Sequence, residues 1–399
     1  MKLYKIILIV VVVLILFLGF KKYKSYRVQK QTSNSFEQLQ NQCNNTETIF
    51  VSIPSYRDPE CAKTLVDMFN KASCPYRIFA GVCVQNEPLD PQPLDEYDRI
   101  IKKNKWKDFH NQMRVLQVPA SEAKGPMFAR HLIETKLYRG EVFYLMIDSH
   151  TRFIKNWDEE CIMQWKRCSK ETPNPILTYY PDDFNLQDQR GFSKGDEKES
   201  IPSYLRAKEW CKETGALKIE GAKFKTQPLR PIPSLFWAAG FSFSSGQLIK
   251  DCPIDRNYPF LFFGEEHLQA VRYFTHGYMF YTPCKGIIRH QWSRNGRLGT
   301  YWEQWLGDPA KIQMEKQSRI RLKAFLGIQG FLTPESSGMG KAKTMQQYQD
   351  YTGVYPYHQT FHLNSKLGVA SGARNDELIA KFGSLLKYQK IMAAASLRK

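Results

Sequence analysis

Large apolar runs alternate along the chain with segments of helical length, and this alternation limits the fold more than any other feature of the sequence. The intervening segments include 61–72 and 122–138. The runs are continuously apolar, as strands covered on both faces require. The pattern predicts an α/β fold with a Rossmann-like, mixed and mostly parallel sheet flanked by helices. The runs are "IFVSIPS", "RIFAGVCVQ", "RVLQVP", "EVFYLMI" and "ILTYY".

One of these runs ends on polar residues, in "FYLMIDSHTRF" (143–153). Ligands of such sheets bind at the carboxyl ends of strands. In an extended backbone Asp148 and His150 point the same way, while Ser149 faces elsewhere. His290, in "GIIRHQW", also follows a strand candidate and is a candidate third ligand. An Asp-His-His set with open positions suits a divalent cation. The competing interpretation is that His150 and His290 are ordinary loop histidines.

Four further candidates carry charge. Glu265 and Glu266 follow a glycine in "FFGEEH" at the start of a predicted helix. They either favour the positive helix N-terminus or accept a hydrogen bond from a sugar or an attacking hydroxyl. Arg130 lies within a predicted helix that precedes the strand ending at Asp148, and Arg57 follows the first predicted strand. A guanidinium offers two parallel donors to phosphate. For both arginines the alternative is a structural salt bridge.

The charge of the chain is concentrated at its ends. The formal net charge is +18, but residues 1–30 carry seven Lys or Arg and no acid, and residues 311–399 carry 14 Lys or Arg against five acids. That leaves +2 for residues 31–310. A nucleic-acid-binding domain normally carries a basic patch, so no nucleic-acid function is expected of the central region.

The N-terminus predicts a membrane anchor. Residues 1–22 contain an uncharged apolar run between Lys5 and Lys21, which flanking lysines can extend by snorkelling. Residues 23–47 have the polar composition of a stem. The excess of positive charge after the span favours a cytoplasmic main domain, whereas the sequon Asn44-Asn45-Thr46 favours the lumen. A main domain in the lumen of the Golgi or endoplasmic reticulum is the preferred interpretation, with a cytoplasm-facing main domain as the alternative.

The remaining segments carry less information. The nine cysteines include no CxxC pair, which argues against a zinc ribbon, and predict buried thiols with a few disulfides. Residues 182–231 are polar and are expected to form a long excursion over the site. Residues 356–399 are expected to form a basic tail that packs loosely.

An ordered set of segments between residues 49 and 354 resembles a known family. The set resembles the polypeptide α-N-acetylglucosaminyltransferases, which modify hydroxyproline or Ser/Thr. A more distant likeness joins "DSH" and "GEEHLQAVR" to the mucin-type polypeptide N-acetylgalactosaminyltransferases, whose DxH and downstream histidine bind manganese. The segments are "IFVSIPSYRDPECAKTLVDMF", "GPMFARHLIETKLYRGEVFYLMIDSHTRFIKNWDEECIMQW", "FWAAGFSFS", "GEEHLQAVRYFTHGYMFYTP" and "RHQWSR".

The resemblance implies a GT-A catalytic domain over residues 48–355, a UDP-GlcNAc donor, Mn²⁺ or Mg²⁺, and a polypeptide or glycoprotein acceptor. It implies retention of the α configuration, with same-face attack because no nucleophile is evident. It also implies that 292–302 form a mobile lid. The implied metal ligands are Asp148, His150 and His290. The residues implied to contact donor or acceptor are Ser52, Tyr56, Arg57, Gln85, Arg130, Ser149, Trp237, Gly240, Glu265 and Glu266.

Three alternatives stay open. The same fold can use another UDP-sugar or a glycan acceptor. Two histidines and a carboxylate also form the facial triad of Fe(II)/2-oxoglutarate dioxygenases, although that class uses the order HxD on a jelly roll. A binding protein that kept the fold without turnover is the third alternative.

Overall fold

The apolar runs identified in the sequence form strands of the central sheet in the computed structural model. The structure describes residues 47–184, 200–293, 298–300, 303, 306–330 and 338–396. The strands are β1 (Ile49–Tyr56), β2 (Ile78–Asn86), β3 (Met113–Pro119), β4 (Phe143–Ile147), β5 (Thr151–Phe153), β6 (Pro175–Thr178), β7 (Asp182–Asp183), β8 (Ser203–Trp210), β9 (Leu217–Lys223), β10 (Ile232–Ser234), β11 (Phe241–Ser245), β12 (Met279–Thr282), β13 (Ile288–His290), β14 (Val354–Tyr355) and β15 (Thr360–Phe361).

Helices connect and cover these strands. They are α1 (Cys61–Lys71), α2 (Pro93–Asn104), α3 (Pro126–Lys136), α4 (Trp157–Cys168), α5 (Gln247–Asp251), α6 (Glu265–Thr275), α7 (Pro309–Phe325), α8 (Met345–Thr352), α9 (Leu363–Leu367), α10 (Asn375–Phe382) and α11 (Leu385–Ser396).

The central sheet has the strand order β10-β12-β6-β11-β4-β1-β2-β3. The half formed by β4, β1, β2 and β3 is parallel. In the other half β11 runs antiparallel between β4 and β6. The predicted mixed α/β sheet is therefore confirmed. Because β4 and β1 are parallel neighbours, their carboxyl ends bring Asp148 and the residues after Tyr56 to one edge.

Buried aromatic side chains pack between the parallel strands and the helices. Phe50 on β1 is fully buried and its ring lies 6.2 Å from that of Tyr144 on β4. Gly81 on β2 makes room for it, since a Cβ there would lie 2.4 Å from Phe50 Cζ. Full burial of such a side chain contributes about 1.5–3 kcal/mol. This packing fixes the sheet that carries the site.

Residues 182–231, predicted to be a polar excursion, contain regular structure. Strands β8 and β9 pair into an antiparallel hairpin with an irregularity between Ala207 and Glu209. Its half-exposed strands carry many charged residues, so the sequence lacks the apolar run that marked the other strands. Residues 185–199 lie outside the described residues.

Residues 356–399, predicted to be a basic C-terminal tail, contain strand β15 and helices α9 to α11. Thr48–Lys399 belong to one compact unit, and the pair β14–β15 crosses the predicted boundary, with Val354 opposite Phe361. Helix α10 adds Leu378 and Phe382 to a buried apolar cluster. Arg230 also pairs with Asp376 on this helix. The segment therefore packs on the domain through apolar contacts and an ion pair.

The predicted anchor (1–22) and most of the stem (23–47) fall outside the described residues. Within the described part of the chain, no helix has both the length and the apolar character that crossing a membrane requires. Cys74 is disulfide-bonded, whereas seven other described cysteines are free thiols, six of them buried.

Candidate active site

Two short strands bring the third candidate ligand to the Asp-X-His sequence. Strand β4 ends at Ile147, and β5 begins at Thr151. Strand β13 runs antiparallel to β5, with His290 opposite Thr151. The turn between β4 and β5 is held by Thr64, whose hydroxyl donates to Ser149 O at 2.6 Å and accepts from Thr151 N at 2.9 Å. The predicted extended backbone therefore ends earlier than expected, but Asp148 and His150 still converge.

Asp148, His150 and His290 form a compact set of donor atoms. One ligand atom from each lies within 4.8 Å of the others. His150 Nε2 lies 3.0 Å from His290 Nε2, and His290 Nε2 lies 3.0 Å from Asp148 Oδ2. Two imidazole nitrogens aimed at each other beside a carboxylate suit a shared cation. Imidazole and carboxylate donors are those that Mn²⁺ and related divalent ions accept, so the residues present fit a metal.

Asp58 contacts His150 and Ser149 and orients the imidazole of His150. Its Oδ2 lies 2.7 Å from His150 Nδ1 and accepts from Ser149 Oγ at 2.6 Å. Glu60 N donates to the other oxygen at 2.9 Å. Burial would raise the pKa of Asp58, but these hydrogen bonds hold it at about 2. An ionised Asp58 keeps the proton of His150 on Nδ1, which leaves Nε2 as the donor atom.

Arg130 joins the metal residues to helix α6. Its guanidinium donates to Asp148 Oδ1 at 2.9 Å and also to Glu265 Oε1. Arg130 and Glu265 are both buried. Burial would raise the pKa of Asp148, but His290 and Arg130 hold it well below its usual value. Asp148 is therefore an anion at neutral pH, as a metal ligand must be.

Glu266 lies on the same cleft in a different environment. Both of its oxygens are engaged, one by the hydroxyl of Tyr180 and the other by Ala239 N at 3.2 Å. Burial raises the pKa of Glu266 to about 7, against the effect of these hydrogen bonds. Gly264, with φ +117°, begins helix α6 just before the two glutamates. A Cβ at Gly264 would meet Leu322 Cδ2 at 2.4 Å.

These side chains open onto a cleft of about 640 Å³. This volume lies within the usual range of small-molecule sites. Among the predicted residues, the cleft is lined by Tyr56, Gln85, Arg130, Asp148, Ser149, His150, Gly240, Glu265, Glu266 and His290. Ser149, expected to face elsewhere, is part of this lining.

Three residues predicted to bind the donor do not line the cleft. Ser52 is fully buried within β1, and Trp237 is fully buried in the core, with Nε1 donating to Ser242 Oγ at 2.8 Å. Trp237, which was expected at the pocket floor, packs its side chain on Tyr273 in the core. Arg57 is held by Asp90 through two hydrogen bonds, of 2.7 and 2.9 Å.

Sequence reasoning missed several residues of the site. Asp58 and Tyr180 were not predicted, nor was the contribution of the β8–β9 hairpin, which lines the cleft with Lys208, Glu209, Leu217, Lys218 and Ile219. Asp58 carries a detectable signal, since it follows β1 at the same edge as Asp148. Of the predicted lid, residues 294–297 and 301–302 lie outside the described residues, while Trp292, Gly299 and Thr300 line the cleft.

The sheet and the cleft at its strand ends, with the Asp-X-His residues on it, are those of a glycosyltransferase of the GT-A type. The helix-flanked sheet also rules out the jelly roll of the dioxygenase alternative. Residues 48–105 and 94–358 match the model of the family described as Glycosyltransferase (GlcNAc). The chain therefore belongs to this glycosyltransferase family.

A solved structure is similar to the chain in fold. A crystal structure of GalNAc-T7 with UDP, GalNAc and Mn²⁺ matches with a TM-score of 0.50 and 15% identity, over 76% of this chain and 50% of that chain. The crystal structure of S. aureus TarS 1-349 is also similar to the chain, with a TM-score of 0.33 and 14% identity, over 61% of this chain and 60% of that one. This chain thus spans half to three-fifths of the length of those two chains. No curated protein matches the sequence.

Proposed function

We propose that the protein transfers N-acetylglucosamine from UDP-GlcNAc to a hydroxyl of hydroxyproline, Ser or Thr in a polypeptide, with retention of the α configuration. The observation that carries the proposal is the Asp148, His150 and His290 set on a cleft of about 640 Å³ in a chain of the GlcNAc glycosyltransferase family. The family description favours GlcNAc as the donor sugar. The GalNAc in the GalNAc-T7 structure keeps UDP-GalNAc as an alternative donor.

Asp148, His150 and His290 would hold Mn²⁺ or Mg²⁺. Such an ion, when bound, neutralises the charge that develops on the departing diphosphate. Arg130 supplies a fixed positive charge beside it, already oriented by Glu265 and Asp148. Because this guanidinium needs no reorganisation during the reaction, it stabilises developing negative charge effectively.

The other lining residues serve binding. Tyr56 and Gln85 lie at the carboxyl ends of β1 and β2, where a nucleotide binds in such sheets. Arg57, fixed by Asp90, adds positive charge at this end. Ser149 and Gly240 leave room beside Asp148. Ser52 and Trp237 support the cleft from within the core.

The surroundings of Glu266 favour same-face attack by the acceptor. A carboxylate nucleophile must direct an oxygen at the sugar, whereas the two oxygens of Glu266 are held by hydrogen bonds from Tyr180 and Ala239. Each oxygen keeps a second lone pair, with which Glu266 can accept a hydrogen bond from a sugar or acceptor hydroxyl. The same arrangement supports retention without a covalent intermediate on the protein.

The luminal location and the N-terminal anchor are part of the proposal. The disulfide at Cys74 supports an oxidising compartment, since such bonds are rare in the cytosol. The alternative is a cytoplasm-facing enzyme. A shift in gel mobility when glycans are removed from the wild-type protein, absent in Asn44→Gln, would support a luminal main domain. Complete digestion of the main domain by a protease that reaches only the cytosolic side of the membrane would contradict it.

A UDP-release assay tests the function. The purified chain is incubated with UDP-GlcNAc, UDP-GalNAc or UDP-glucose, with Mn²⁺, Mg²⁺ or a chelator. We expect metal-dependent release with one preferred donor, lost in Asp148→Ala and kept in Asp95→Ala, which alters an exposed carboxylate. Equal rates under all conditions would overturn the assignment. UDP binding with no turnover would favour the non-catalytic alternative.

A further inference from the structure

A second cavity adjoins the cleft. Its volume is about 390 Å³, and it lies at the turn of the β8–β9 hairpin, where Cys211 N donates to Ala216 O at 2.8 Å. Its walls include Thr214, Leu261, Glu315 and Arg319. None of these four residues lines the cleft. The chain thus offers a second binding space that the donor does not need.

An aromatic ridge separates the two spaces. Phe262, Phe263 and Lys218 line both of them. The rings of Phe262 and Phe263 meet edge to face at 5.1 Å, and Lys218 Nζ lies 4.9 Å from the centre of the Phe263 ring. Phe262 is 39% exposed and Phe263 is 51% exposed. Two adjacent phenyl rings this exposed are an apolar surface that a ligand can cover.

The charges around the second cavity are paired, with one exception. Arg319 pairs with Glu315, and Lys218 donates to Glu209 at 3.3 Å. Glu213 accepts a hydrogen bond from the Cys211 thiol at 3.0 Å. Within the described part of the chain, no cation lies in salt-bridge contact with Glu213. An unpaired carboxylate beside an apolar ridge favours a ligand that carries both an apolar and a basic group.

We propose that the second cavity binds the segment of the polypeptide acceptor that flanks the modified residue, with an apolar side chain on the Phe262–Phe263 ridge and a basic side chain near Glu213. This inference rests on the proposed function. The cleft has the volume of a site for a small molecule such as a nucleotide-sugar, and an acceptor polypeptide that crosses the ridge enters the second cavity. An extended polypeptide presents both required groups on one chain, which a neutral glycan does not.

A library of acceptor peptides tests the proposal. Each peptide has a central Thr, Ser or hydroxyproline, with Lys or Glu at one flanking position and Leu or Gly at another. Transfer of labelled sugar from UDP-GlcNAc is measured for wild type, Glu213→Lys and the control Glu159→Lys, whose side chain is 60% exposed on α4. The ratio of rates for Lys and Glu peptides does not depend on the amount of folded enzyme.

We expect wild type and Glu159→Lys to prefer Lys at one flanking position by about threefold to fivefold, the size of an exposed ion pair. Glu213→Lys should reverse this preference at the same position. Leu should be preferred over Gly nearby, and Phe263→Ala should reduce that preference.

Two outcomes would overturn the inference, and they are distinguishable from failure of the function. Active wild-type enzyme without any flanking charge preference, or a preference unchanged in Glu213→Lys, contradicts the acceptor site and leaves the glycosyltransferase assignment intact. Absence of UDP release and sugar transfer from wild type with every donor contradicts the proposed function, and the acceptor site with it.

Discussion

The two ends of the cleft are built differently. The metal end is formed by Asp148, His150 and His290, whose side chains are held by others: Asp58 contacts His150, and Arg130 donates to Asp148.

The hairpin end borders the β8–β9 hairpin and the second cavity. There Phe262 and Phe263 are partly exposed, and Glu213, in the second cavity, accepts a hydrogen bond from a thiol and pairs with no cation among the described residues. The difference indicates that the metal end is preorganised for chemistry, whereas the hairpin end has surface left for recognition.

Loss of a metal ligand should have the largest effect. His290→Ala removes one of two imidazole donors, and we expect sugar transfer to fall by at least about 100-fold, the usual cost of losing one electrostatic contact of the transition state. The control is His276→Ala, since His276 Nδ1 lies 2.7 Å from Arg272 O, away from the cleft. Initial rates at saturating Mn²⁺ measure the effect. Rates within threefold of wild type would show that His290 is no ligand.

Weakening the support behind a ligand should have a smaller effect. Asp58→Asn keeps the shape but removes the charge that orients His150, and we expect Mn²⁺ affinity to fall by about 10-fold to 100-fold. Titration calorimetry measures this affinity. Asp251→Asn is the matched control, because Asp251 accepts from Tyr278 instead. Equal affinities in Asp58→Asn and wild type would mean that the metal end is not preorganised by Asp58.

A change at the start of α6 tests the packing below the hairpin end. Gly264→Ala places a Cβ against Leu322 and keeps a left-handed φ, so we expect a loss of stability of about 1–3 kcal/mol. Gly140 also has a positive φ, of +100°, but nothing lies within 4 Å of its added Cβ. Gly140→Ala therefore measures the backbone cost alone. Denaturant unfolding measures the loss of stability in both variants. Equal losses would show that the contact with Leu322 on α7 adds no cost at Gly264.

The raised pKa of Glu266 predicts a pH-dependent stability. Burial raises this pKa from the ordinary glutamate value of 4.5 to about 7, so the folded state keeps a proton that the unfolded state loses. The contribution is therefore fully present below about pH 4.5 and is lost as the pH rises to about 7. Glu134 shows the same raised pKa of about 7.

In wild type the free energy of unfolding should fall as the pH rises from about 4.5 to 7. Glu266→Gln should reduce the slope of this fall by up to about 1.4 kcal/mol per pH unit, and the part of the slope due to Glu134 should remain. Denaturant unfolding between pH 4.5 and 7.5 measures the slope, with the surface variant Glu96→Gln as the control. A slope in Glu266→Gln equal to that of wild type would show that Glu266 is ionised throughout this range.

The sequence predicted the metal end better than the hairpin end, for a physical reason. Asp148 follows β4, and His290 ends β13, which pairs with β5 just beyond Asp148. Both candidates could be found because each stands at the end of an apolar run. Tyr180 was missed because its contact with Glu266 depends on how β6 ends and on the turn that places Ala239. The hairpin was missed because half-exposed strands have no continuous apolar run. The direction of the Trp237 side chain, which packs on Tyr273 in the core, cannot be read from its position in the sequence.

The pairing of β13 with β5 also bears on how the enzyme is made. Asp148 and His290 are 142 residues apart, so a chain that ends before β13 carries the Asp-X-His sequence without its third donor. Closing so long a loop costs entropy that only the packed domain repays. Tight binding of a cation at this set would therefore require that β13 has been synthesised and has paired with β5. Metal affinity would then distinguish the folded domain from shorter or unfolded chains.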